Sequence, residues 1–370
     1  MRRVRLGDVC EVVSGSTPKT NIPEYWDGDI DWITPAELTD DSYIINESIR
    51  KITAIGVQKT GLKFLPKGTV ILSSRAPIGK VAIAGKPMYC NQGFKNLICS
   101  DEILPEYLYW FLKGNNEYLN SLGRGATFKE ISKKIVENIE ITLPDKDHQE
   151  HAVAVLDKCW EVMRKRKAEL EQLDELIKAR FVELFGDPAE NPYCFPEVNI
   201  SNVVDGKASN GYFAKRDEYV DDGNASVIGV AYVVNRMYSQ VTNLPRTNAD
   251  EKSIQKYAVK YGDMLFCRSS LVAAGIGKAS IVPEEVPENT LFECHVIRLP
   301  LDLGKCVPEY MQTLSTMHYF RSQMIAQSKT ATMTTIGQDG ILKASIVLPP
   351  LEKQKEFYSF VKQVDKSKLS

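Results

Sequence analysis

Three hundred and seventy residues and 41.6 kDa exceed one ordinary domain of about 100 to 200 residues and point to two or three. With 43% hydrophobic and 25% charged residues, the composition excludes disordered, collagenous and fibrous classes. The longest apolar run, Val227 to Val234, falls short of the roughly 20 residues that a membrane span needs. A net charge of −2, from 46 basic and 48 acidic residues, argues against a basic coat for nucleic acid or membrane.

The amino terminus, MRRVRLGDVCEV, carries basic residues with no apolar stretch behind them. Neither a secretion signal nor a lipid anchor is expected, and the protein is expected in the cytoplasm. Eight cysteines without a CxxC pair encode neither a zinc ribbon nor a redox dithiol, and reduced, mostly buried thiols are expected.

In chain order, a first globule (1–145) contains the β-rich runs TVILSS, KVAIAG and ENIEITLP and a helix over 105–121. A central helix (146–187) has no Pro or Gly from Gln149 to Phe185. The positions Ala152, Leu156, Cys159, Met163, Arg166, Leu170, Leu173, Ile177, Arg180 and Leu184 step by four and three along it, the spacing of a coiled-coil seam. Arg166 and Arg180 interrupt that seam, either by reaching to solvent or by pairing with a partner carboxylate. The helix ends at Gly186, Asp187 and Pro188. A second globule (188–350) contains DMLFCR, KASIVLP and a helix over 308–327, and a shorter helix (351–370) continues the seam with Phe357, Val361 and Val364. The predicted fold class is α+β: two pseudo-repeated globules joined by long helices.

Self-similarity underlies this division. Residues 125–149 match 330–354 at a constant offset of 205, through Ile131/Ile336, Ile141/Ile346, Pro144/Pro349 and Gln149/Gln354. KGTVILSS (67–74) parallels YGDMLFCR (261–268), Ile78-Gly79-Lys80 parallels Ile276-Gly277-Lys278, and Pro105-Glu106-Tyr107 parallels Pro308-Glu309-Tyr310. The offsets there are 194, 198 and 203, so loops of different length separate a common framework. The counterpart of the central helix would run to position 389, so a shortened second helix is expected.

Catalytic constellations are not encoded. GIGKA (275–279) lacks the spacing and the hydroxyl of a phosphate loop and reads as a tight turn, and no GxGxxG follows a strand. Asn191-Pro192-Tyr193-Cys194 is one proline short of a base-flipping methyltransferase motif. His148 and His151 lack a third metal ligand, and Asp145, Lys146 and Asp147 read as the charged start of a helix. No catalytic residue, cofactor site or metal site is expected in this chain.

What stands out instead is cations placed among hydroxyls and amides in turns: Lys19, Arg75, Lys80, Gln92, Lys95, Arg124, Thr127 and Lys129 in the first copy. The second copy has Lys215, Arg216, Arg268, Ser269, Lys278, Lys329 and Thr332. Arg reads guanine edges, Gln and Asn read adenine, and Lys, Ser and Thr hold phosphates.

The repeat of a variable globule followed by LP…Q and a long helix, the central ELIKARFVELFGDP, the opening RLGDVCEVVSGSTP, WITPAEL (32–38) and SSRAPIGKVAIA…NQGF together resemble the specificity subunit of type I restriction–modification enzymes. The resemblance implies two target-recognition domains, each reading half of a split double-stranded DNA site. It also implies helices that pair antiparallel, through Leu156, Met163, Leu170, Leu173, Ile177 and Leu184 with Phe357, Val361 and Val364, to set the gap and dock partners. Those partners would be two methylation subunits, which bind S-adenosylmethionine, and restriction and translocation subunits, which use ATP and Mg²⁺. The shortened second helix leaves self-association through the central helix open. Arg75 and Arg268 are the expected base readers, and Lys80, Lys278, Arg124 and Lys329 the expected phosphate contacts. A two-globule protein-interaction scaffold is the alternative.

Overall fold

The structure, a computed structural model, describes residues 2–75, 77–125, 129–330 and 332–369, with the side chain of Leu369 left aside. The chain divides into two compact units, Met1–Arg166 and Lys167–Ser370. Each is a mixed α and β assembly of small sheets.

In the first unit a five-stranded sheet runs in the order Cys10–Ser14, Phe94–Cys99, Val70–Ser73, Val81–Ala84, Ile44–Ile45. Its central strand is apolar on both faces, which a sheet covered on both sides requires. Val70 and Leu72 pack with Leu108, Tyr109 and Leu112, while Ile71 packs with Ile33, Leu38 and Met88 on the other face. The second unit repeats this core with the strands Ser209–Asn210, Val296–Pro300, Asp263–Cys267 and Ala279–Ile281. Met264 and Phe266 again face one cluster and Leu265 the other.

The helix expected over 105–121 is two helices, Pro105–Gly114 and Asn116–Ser121, parted where Asn115 leaves helical geometry at φ −109°, ψ 28°. The helix expected over 308–327 is likewise Pro308–Thr316 and His318–Ala326, because Met317 is extended at φ −71°, ψ 150°. Proline opens the first helix of each pair, where its missing N–H costs nothing.

One buried glutamine holds each unit's framework. Gln149 is fully buried. Its amide donates to the carbonyls of Glu102 and Pro144 at 3.0 Å each and its oxygen accepts the Leu104 N–H at 2.9 Å. Gln354, equally buried, donates to Lys305 O and Pro349 O at 3.3 and 2.8 Å and accepts Val307 N–H at 2.9 Å. The hydroxyls of Tyr107 and Tyr310 repeat the pattern, donating to Thr142 O and Val347 O at 2.9 and 2.5 Å.

The long helix spans Lys146–Phe185 and the C-terminal helix Leu351–Leu369. In the second unit they lie antiparallel side by side: Arg180 bonds Glu356 at 2.8 Å, Lys368 bonds Asp174 at 2.7 Å, and Phe181 meets Phe357 edge-on at 5.5 Å. Arg180 thus takes the partner carboxylate. Ile177, Phe357, Val361 and Val364 are buried there, with Leu173 and Leu184 packed against them.

Along the first half of the helix the expected seam stays at the surface. Leu156 is 40% and Met163 63% exposed, and Leu170 is half-buried. The first unit holds this helix by a neighbouring face instead. Asp157 accepts from Tyr43 Oη and Trp110 Nε1 at 2.8 Å each, and Trp160 packs on Trp110 at 5.9 Å.

Of the eight thiols, Cys10, Cys90, Cys267 and Cys306 are buried, Cys99 and Cys294 half-buried, and Cys159 and Cys194 exposed. Among the described residues no helix is long and apolar enough to cross a membrane.

Candidate nucleic-acid interface

In both units a hairpin turn carries Ile-Gly-Lys. Ser73 N–H donates to Lys80 O at 2.8 Å and Gly79 N–H to Ser73 O at 3.0 Å; Cys267 with Lys278 and Gly277 repeats these bonds at 2.8 and 2.9 Å. Gly79 and Gly277 have φ of 94° and 64°, a region closed to most side chains. The two lysines are turned onto neighbouring acceptors. Lys80 Nζ donates to the carbonyls of Leu38 and Pro35, and Lys278 Nζ to Asn235 Oδ1 at 2.6 Å.

Beyond the hairpin each unit builds a three-segment patch. Ile131 N–H donates to Ser74 O and Ile336 N–H to Arg268 O, both at 3.0 Å. The backbones of Arg75 and Arg124 then each pair with that of Glu130 in the first unit. In the second, Ser269–Ser270 pairs with Thr334–Thr335, which pairs with Lys329–Thr330. The equivalences are therefore Arg75 with Ser269, Glu130 with Thr335, and Arg124 with Lys329.

Arg268 is the counterpart of Ser74, one residue away from that of Arg75, and a one-residue step along an extended chain reverses the side chain's direction. Its guanidinium points back to donate to Cys294 O at 3.1 Å. Arg75 is half-buried and Arg124 exposed.

A fourth segment packs beside the patch, against residues 90–94 in the first unit and 292–293 in the second. At Gly15 a Cβ would lie 1.9 Å from Asn91 O, and at Gly211 2.2 Å from Glu293 O, so only glycine lets the loops 14–20 and 210–216 approach. Lys19 and Lys215 follow these glycines by four residues each, and both are exposed, as is Arg216. Thr17 hydrogen-bonds the exposed Gln92. Ser269 Oγ lies 3.2 Å from His295 Nδ1.

Lys95 is set apart by burial: only 7% exposed, it bonds Ser74 Oγ at 3.4 Å and Glu130 Oε1 at 3.2 Å. It supports the patch from beneath. Lys129, Lys329 and Thr332 are exposed, and Thr127 lies outside the described residues.

Two features of this surface escaped the sequence. Glu130 pairs through its backbone with Arg75 and the nearby Arg124 and through its carboxylate with Lys95, and Arg75 and Lys95 are distant in the chain with no spacing to announce them. Leu271, Val272 and Phe213 are 83%, 63% and 68% exposed on the loops of the second unit's patch. Apolar residues inside turn clusters were the available signal.

His148 and the Asn-Pro-Tyr-Cys segment are each held by local partners. His148 Nδ1 is 2.6 Å from Asp145 Oδ1 at the helix start, and that bond holds the Asp145 carboxyl below its ordinary value. Asn191 closes a turn by accepting the Phe195 N–H at 3.0 Å and donating to its carbonyl at 2.8 Å. Among the described residues no group of three or more His, Cys, Asp or Glu is placed to hold a metal.

One framework repeated, with hydroxyls and cations exchanged on its variable edge, defines a duplicated protein. The family described as "Type I restriction modification DNA specificity domain" matches residues 1–172 and again 196–370, and the chain belongs to that family. It is 38% identical over 215 residues to the type I restriction enzyme MjaIX specificity subunit of Methanocaldococcus jannaschii, covering 57% of this chain and 49% of that protein. The chain thus spans about half the length of that relative. To the MjaVIII specificity subunit of the same organism it is 24% identical over 383 residues, covering 98% of this chain and 85% of the other. A crystal structure of a type I restriction–modification S subunit from M. genitalium aligns at TM-score 0.49 and 15% identity, covering 99% of this chain and 90% of that one.

Proposed function

We propose that this chain is the DNA sequence-specificity subunit of a type I restriction–modification complex and is itself non-catalytic. Each unit reads one half of a bipartite duplex site. The observation that carries this reading is the paired patch: the same hairpin, glycine approach and three-segment pairing in both units, with Arg75, Glu130 and Arg124 replaced by Ser269, Thr335 and Lys329. A constant scaffold with exchanged hydrogen-bonding groups suits two different half-sites of one kind of ligand.

The weak net charge fits a reader that leaves phosphate clamping to partners. S-adenosylmethionine, ATP and Mg²⁺ belong to those partners, two methylation subunits and the restriction and translocation subunits, and the complex works in the cytoplasm. The helices act as a coiled-coil spacer. Support for docking comes from Ala152, Leu156 and Cys159, the counterparts of Phe357, Val361 and Val364, which in the second unit are covered by the long helix. The exposed stretch around Leu156 and Met163 is where a methylation subunit, or a second copy of the chain, lays a helix.

The test is methylome sequencing of a host carrying this chain with a methylation subunit. A new adenine motif in two parts with a fixed gap is expected. Unchanged methylation in a host where the complex demonstrably assembles would refute the proposal.

A further inference from the structure

We propose that the second unit also holds a small organic phosphate, of mononucleotide size, in a cavity between the long helix, the helix pair 308–326 and the hairpin turn at Lys278. The cavity measures about 330 Å³, within the range of small-ligand pockets. Four cations line it, Lys178, Arg236, Lys278 and Arg321, against one carboxylate, Asp174. That carboxylate is already paired with Lys368 at 2.7 Å; Lys178 is shared with Glu175 at 2.7 Å, while Lys278 and Arg236 meet the neutral side-chain oxygens of Asn235 and Gln240, at 2.6 and 3.0 Å.

Two lining groups lack the partner that burial demands. Thr313 is 2% exposed and its hydroxyl has no hydrogen bond. Arg321 donates through one guanidinium nitrogen to Ala274 O at 3.0 Å, while the other, Nη1, is buried without an acceptor. Buried donors left unpaired are costly. Neither atom has accessible surface of its own, so an anion in the cavity pairs with them once the Thr313 and Arg321 side chains turn toward it, and burial, which pulls Arg321 below its ordinary value, strengthens that attraction. Ile177, Met237 and Ala279 give the remaining wall an apolar character, suited to an organic body on the phosphate.

The first unit shows that this is not a by-product of the fold. Its counterpart cavity, about 290 Å³, uses the same hairpin through Lys80 and Val81 but is lined by Asp40 and Asp41 as well as Lys113 and Trp160. Those two acids match its two lysines, Lys80 and Lys113. Acids matching cations there leave no call for a ligand anion.

The experiment is calorimetric titration of the full chain, without DNA or partner subunits, so its outcome is independent of the specificity reading. The probes are adenosine 5′-monophosphate, adenosine and inorganic phosphate. Saturable one-to-one binding of the nucleotide is expected, with none for adenosine and at least about tenfold weaker binding of phosphate. Arg321→Met and Arg236→Glu should each weaken the nucleotide at least about tenfold. Arg236 is exposed, so its variant keeps the test decisive if Arg321→Met fails to fold. Absence of saturable nucleotide binding, full affinity in Arg236→Glu, equal affinity for inorganic phosphate, or displacement of the nucleotide by a blunt duplex lacking terminal phosphates would each overturn the assignment.

Discussion

Replacing Gln354 by alanine removes the three hydrogen bonds that tie the second unit's helix start to its core. At about 1 kcal/mol per bond, with the Val307 N–H then left unpaired, the loss is roughly 3 kcal/mol. For a unit of this size a urea slope of about 2 to 3 kcal/mol/M converts that to a midpoint lowered by about 1 to 1.5 M. Gln149→Ala should do the same to the first unit. All four tryptophans, Trp26, Trp32, Trp110 and Trp160, lie in that unit. Tryptophan fluorescence therefore follows the first unit alone and far-UV circular dichroism follows both. Gln149→Ala should shift the fluorescence transition, and Gln354→Ala only the ellipticity that fluorescence does not track. A midpoint shift below about 0.3 M in either variant, or identical shifts of both probes in both, would refute the idea of one glutamine clip per unit.

Three further outcomes follow from the same geometry. Glu309 is 1% exposed with one oxygen unpartnered, and burial raises its carboxyl above the ordinary value of 4.5. Its contribution is therefore fully present below that value and lost as pH rises through the folded one. Glu309→Gln should stabilise the second unit at pH 8 and not at pH 4, and a gain that is equal at both, read by urea midpoints, would contradict this. Arg75→Ala should relax one base position of the target by roughly 1 to 3 kcal/mol, whereas Arg268→Ala, losing its bond to Cys294 O, should lower stability with the motif unchanged; methylome motifs paired with melting curves distinguish them. Inserting one helical turn between Gln149 and Phe185 adds about 5.4 Å, or between one and two base pairs at roughly 3.4 Å each. The gap should lengthen while the half-sites stay the same, and altered half-sites in the methylome would contradict the spacer role.

The duplication, the long helix and the family were legible in the chain itself, because each rests on local signals. Gln149 and Gln354 share an offset with the framework around them, Pro and Gly are missing over one long window, and Gly79 and Gly277 mark turns that other residues resist. These are properties of neighbours along the chain. Only the tertiary structure decided which cations are free. Lys95 and Arg268 looked like their exposed neighbours, yet one is buried on Glu130 and the other folded onto Cys294, since a side chain's partner depends on strands brought together from far apart. The seam shows the same limit: one periodic pattern runs the length of the helix, but Ile177 is buried and Met163 bare. Periodicity sets which face is apolar, and only the packing of distant segments sets what covers it.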